Sequence, residues 1–118
     1  MDRHIKPPLC LVLIILAFTL TANGAEAAGY NRLGAGTASC GIWTAFRREG
    51  PTSARALSSE QWVLGFLDGI TEASGGARDP LSGMNAEQVW DWIDSYCQAN
   101  PTRSIADAGS AFIAARSH

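Results

Sequence analysis

Glu87, Asp91 and Asp94 recur at the spacing of a single helix face, with no basic side chain between them. Such a row can hold a cation or sense acid, because carboxylates that repel one another take up protons as the pH falls. It is also the ordinary pattern of a solvated helix face. Paired carboxylates drive glycoside hydrolysis as well. Asp91 and Asp94 would then act with Asp68 and Glu72, provided the working pair stands roughly 5 to 9 Å apart across a cleft. Nucleophilic catalysis of the Ser-His or Cys-His kind lacks its base, since beyond residue 27 the one histidine is His118. The serines read as caps and turn residues. No catalytic residue is assigned, and the chain is not expected to be an enzyme.

Cys40 and Cys97 are two sulfurs with no Cys-x-x-Cys and no supporting histidine, too few for zinc, so neither metal nor cofactor is expected. The segment from Gly36 to Gly41 has the glycine spacing of a phosphate loop. Ile42 and Trp43, however, stand where that motif needs Lys and Ser or Thr. Trp92 and Tyr96, one helical turn apart, form a candidate partner surface, given the enrichment of these residues at interface hot spots. Packing under a long loop or an N-terminal arm explains them equally well. Trp90, beside Val89 and Ile93, belongs to the core.

The fate of the cysteines is set at the start of the chain. Arg3 and Lys6 precede an apolar run from Leu9 to Leu20, and Ala25-Glu26-Ala27 follows with the small-x-small pattern of a cleaved export signal over residues 1–27. The run is shorter than the roughly twenty apolar residues a membrane-crossing helix needs, so no membrane anchor is expected after cleavage. Pro7-Pro8-Leu9-Cys10 lacks the small residue that precedes a lipid-modified cysteine. Cys10 leaves with the signal. An even count then enters an oxidising compartment, periplasmic or secreted, where a disulfide is the default and two separately buried thiols the alternative. A bond between Cys40 and Cys97 would close a loop of nearly sixty residues. On chain-entropy grounds it would contribute about 4 kcal/mol, a large share for a single small domain.

Residues 28–118 contain no lysine, seven scattered arginines and nine carboxylates, which leaves them slightly acidic and without the basic stripe that nucleic-acid binding requires. Residues 28–37 are glycine-rich and aperiodic, and predict a flexible arm ahead of a helical domain over 38–118. A first helix is expected from about Ser39 to Glu49, stopped by Gly50-Pro51. The second should open on the capping box Ser58-x-x-Gln61 and run to about Ala73. Its apolar stripe is Trp62, Val63, Phe66, Leu67 and Ile70, and Gly65 and Gly69 lie on a strip where another helix could approach closely. Residues 74–85 are dense in turn formers and predict a long loop. Asn85 with Gln88 then caps a third helix that ends at Asn100-Pro101. A fourth, from Pro101 or Ser104 to about Ala115, turns Ile105, Ala108, Phe112 and Ile113 inward. No run alternates with period two, so the fold class is all-α: a small bundle of about four helices, its disulfide tying the first to the third.

Three segments, Ser39-Cys40-Gly41-Ile42-Trp43, Gln61 to Gly69 and Trp92 to Pro101, resemble a group of small exported bacterial helical proteins. Their layout is similar to the HdeA-type periplasmic acid-stress chaperones and to the Tai-type immunity proteins that neutralise secreted effectors. The first resemblance implies a homodimer at neutral pH that loosens in acid and catches unfolding client proteins, with Cys40 and Cys97 as the structural bridge. The second implies a protein partner whose active site the domain covers.

Overall fold

Four short polar side chains start the four helices of the described residues. Ser39, Ser53, Asn85 and Ser104 each sit in extended backbone and accept a hydrogen bond from an amide of the following first turn. They open α1 (Cys40–Arg48), α2 (Ala54–Ala73), α3 (Ala86–Ala99) and α4 (Ile105–Ala115). In α3 and α4 the cap is reciprocated, because the side chains of Gln88 and Asp107 reach back to the amides of Asn85 and Ser104. The structure is a computed structural model that describes residues 31–117. The expected export signal, residues 1–27, lies outside the described residues.

All-α architecture and the disulfide both hold. Cys40, at the start of α1, is bonded to Cys97, near the end of α3, across a Cα separation of 4.7 Å. Both sulfurs are buried. The starts of α1 and α4 are laced together by backbone: the amide of Cys40 donates to the Arg103 carbonyl at 2.7 Å, and that of Ile105 to the Ala38 carbonyl at 2.9 Å. Helices α1, α3 and α4 therefore converge at one end of the bundle. Trp43, Val63, Leu67, Ile93, Ile105 and Phe112 fill the space between them and α2, each fully excluded from solvent. Trp43 and Trp90 meet at 6.0 Å between ring centroids, tilted by 53°.

Three expectations need correction. Helix α2 begins one turn before Ser58, because Ser53 takes the cap and Ala54-Arg55-Ala56-Leu57 are good helix formers that continue it. The Ser53 hydroxyl also donates to Glu49 at 2.6 Å, and Arg55 pairs with the same carboxylate at 2.8 Å, which fixes the corner between α1 and α2. Gly65 and Gly69 admit no close neighbour: a Cβ at either would meet nothing within 4 Å. The tight glycines are Gly36, where a Cβ would run into the Trp62 ring, and Gly109, where it would stand 2.8 Å from Phe66. Finally, the glycine-rich arm is folded from Gly34 onward. Ala35–Thr37 form a short 3₁₀ turn, and the Trp62 indole N–H donates to the Leu33 carbonyl at 3.1 Å.

Gly75, Gly76 and Gly83, all at positive φ, shape the long loop between α2 and α3. Arg116 holds that loop down, donating from Nε to the Pro80 carbonyl at 2.6 Å and from Nη2 to the Ser82 carbonyl at 2.5 Å. Among the described residues no helix is long and apolar enough to cross a membrane.

Candidate functional site

The inward face of α1 carries a charge. Cys40, Trp43 and Arg47 recur at i, i+3 and i+7, so the helix that buries Trp43 also turns Arg47 toward α2 and α3. A guanidinium placed there has to find acceptors, because an unpaired charge in such surroundings is strongly destabilising.

It finds two carboxylates on two other helices. Arg47 Nη1 donates to Glu60 Oε1 of α2 at 2.6 Å, while Nε and Nη2 donate to Asp94 of α3 at 3.2 and 3.1 Å. Asp94 Oδ1 also accepts the Trp43 indole N–H at 2.7 Å. The guanidinium carbon lies 5.9 Å from the Trp43 ring centroid, close enough for a cation–π contribution. The side chains of Arg47, Glu60 and Asp94 retain 24%, 9% and 27% of their exposure, so this cluster is largely but not wholly desolvated. A polar cleft of about 220 Å³, lined by Thr44, Arg48 and Gln98, opens beside Arg47 and Asp94.

Hydrogen bonding to the Asp94 carboxylate holds the Arg47 guanidinium above its usual pKa against the opposing pull of burial, with Glu60 adding to the rise. For a cation raised in the folded state, the added stability is complete below the ordinary arginine value and is lost only as the pH climbs past the folded one. The acid side of the stability profile thus belongs to the carboxylates. Asp107 is one of them. The Ser104 backbone amide lowers its pKa, and a depressed carboxylate contributes stability that disappears as the pH falls through its folded value.

The expected carboxylate row is divided by the fold. Glu87 and Asp91 are exposed, but Asp94 is half-buried and paired. The reason is where α1 crosses: the bond to Cys97 brings it over the C-terminal half of α3, which delivers Arg47 to Asp94 and leaves the first half of the helix to solvent. The carboxylates of Asp68 and Glu72 are exposed on α2 and make no hydrogen bond or ion pair among the described residues. Asp94 is joined instead to Glu60, across Arg47. Among the described residues, no three His, Cys, Asp or Glu side chains are placed to hold a metal ion.

Trp92 and Tyr96 are half-buried and stacked at 5.8 Å with 10° between the rings, and Trp92 meets Phe112 of α4 in a T-shaped contact, 5.2 Å between ring centroids. Trp92 is thus packed on α4, with Tyr96 stacked on it.

Arg47 and Glu60 are the members of the site that the sequence did not single out. One signal was there: an arginine continuing the apolar stripe of Cys40 and Trp43 is a charge aimed inward, and its partner has to be a carboxylate elsewhere in the chain.

Comparison with known protein families, with curated proteins and with solved structures returns no match for this chain.

Proposed function

We propose that this chain is an exported, non-enzymatic binding protein of the acid-stress chaperone type, whose domain loosens in acid and offers its apolar interior to unfolding client proteins. The observation that carries this reading is the tie at Arg47. One guanidinium joins α1, α2 and α3 through the Glu60 and Asp94 carboxylates, and directly beneath it lies the buried Trp43 ring. Protonating both carboxylates leaves a charged guanidinium against neutral partners in a mostly dry site, which favours separation of the three helices.

Two further properties support it. Residues 28–118 hold seven arginines and nine carboxylates, so full protonation of the carboxylates takes this part of the chain from −2 to +7. Self-repulsion of that size favours expansion and keeps an opened state from precipitating. The Cys40–Cys97 bond meanwhile keeps α1 attached to α3, so the helices open without dispersing. A disulfide of this kind suits the oxidising compartment, periplasmic or secreted, that the expected export signal implies.

The test is light scattering from a client enzyme that aggregates at about pH 3, with and without this protein, repeated at neutral pH with a heat-aggregating client. Suppression in acid alone is expected. The Asp94→Ala variant should move the onset of suppression to higher pH. Equal suppression at both pH values, or none at either, refutes the acid-chaperone reading.

A further inference from the structure

A second cavity, of about 390 Å³, lies between the end of α2, the long loop and the end of α4. Its size is within the range of small-ligand sites. Ile70, Pro80 and Ile113 supply an apolar lining, and the charged groups along it are Arg78, Asp79 and Arg116.

These three are not equally occupied. Arg116 spends Nε and one Nη2 hydrogen on the Pro80 and Ser82 carbonyls, and its role is to hold the loop. Asp79 uses Oδ1 for the Leu81 amide at 3.1 Å and the Thr71 hydroxyl at 3.4 Å; its Oδ2 accepts nothing among the described residues. The Arg78 guanidinium has no acceptor among the described residues, although its own backbone is fixed: the amide donates to Ser74 Oγ at 2.9 Å, and the carbonyl accepts from that hydroxyl at 3.2 Å. The cavity thus combines an apolar lining, a net charge of one positive unit and, at its exposed rim, the Arg78 guanidinium on a pinned backbone and the second Asp79 oxygen.

We infer that this cavity binds the carboxy-terminal end of a peptide that finishes in an apolar residue. The peptide's α-carboxylate pairs with Arg78 in a bidentate, charge-assisted contact, the terminal side chain lies against Ile70, Pro80 and Ile113, and a backbone N–H of the peptide donates to Asp79 Oδ2. A monoanion fits the net charge of the lining. A peptide end is favoured over a simple carboxylic acid because its backbone supplies an N–H that the exposed Asp79 carboxylate can accept from, which an acid of that kind lacks. The site is built from the loop and the ends of α2 and α4, so it does not rest on the acid response.

The experiment is a fluorescence-anisotropy titration of the full, disulfide-bonded protein at neutral pH. The probe is an N-terminally labelled peptide ending in Leu-Leu with a free carboxylate, set beside the same peptide with a carboxamide end, and competed with free leucine and with hexanoate. The carboxylate peptide should bind about tenfold more tightly than the amide, the value of losing one charge-assisted contact. Arg78→Ala should erase that difference, and Arg78→Lys should restore part of it. Ala77→Phe, which narrows the cavity from the exposed loop, should weaken the carboxylate peptide without altering the circular dichroism of the fold. Carboxylate and amide binding alike, binding by neither, or hexanoate competing as well as the peptide itself would each overturn the inference.

Discussion

Replacing Asp94 isolates what the Arg47 tie contributes, because Asn and Ala remove different parts of it. Asp94→Asn keeps an oxygen that can accept the Trp43 indole N–H but withdraws the charge from Arg47. Both side chains retain about a quarter of their exposure, so solvent screening cuts the loss well below that of a fully buried pair, to about 1 kcal/mol. Asp94→Ala loses this and also strands the N–H of a tryptophan that is 0% exposed, which adds about 1–3 kcal/mol. Together these make the alanine variant about 3 kcal/mol less stable. Urea unfolding followed by far-ultraviolet circular dichroism, with the disulfide intact, reads the difference. At a slope near 1 kcal/mol/M the midpoint should fall by about 1 M for Asn and about 3 M for Ala. If Asp94→Ala costs no more than Asp91→Ala on the exposed part of α3, or if Asn and Ala cost the same, the account of the tie is wrong.

Gly36→Ala drives a methyl group into the Trp62 ring and should destabilise by about 2 kcal/mol, whereas Gly65→Ala, with nothing within 4 Å, should stabilise α2 by about 0.5–1 kcal/mol. Thermal melts of the two variants separate them. Reducing the Cys40–Cys97 bond, which spans 57 residues, should cost about 4 kcal/mol and lower the urea midpoint accordingly. Asp107→Asn removes a carboxylate whose pKa the fold lowers, so it should weaken the domain at neutral pH and leave it with a flatter acid limb than wild type, visible in midpoints measured from neutral pH downward.

Much of the fold was legible because it is encoded locally. Asn85 with Gln88, Gly50-Pro51 after α1 and the inward set Ile105, Ala108, Phe112 and Ile113 act within one or two turns of chain, and each is found where its spacing puts it. The start of α2 was misplaced because Ser53 and Ser58 carry the same capping chemistry. What selects between them is the Glu49 carboxylate, which binds both Ser53 and Arg55. Glycine spacing misled for a related reason. Gly65 and Gly69 share a strip of α2, but which strip another helix covers depends on packing, and the close contacts went to Gly36 and Gly109.

The sequence by itself determined that the chain is helical and where most of its helices stop, since caps and breakers are properties of short segments. Only the tertiary structure decided that Asp94 leaves the acidic row for Arg47, that Glu60 joins it, and that Trp92 packs on Phe112. Charge pairing and ring packing depend on which residues meet across helices. That meeting was fixed here by the crossing of α1 over α3 at the disulfide, a relation between positions 57 residues apart.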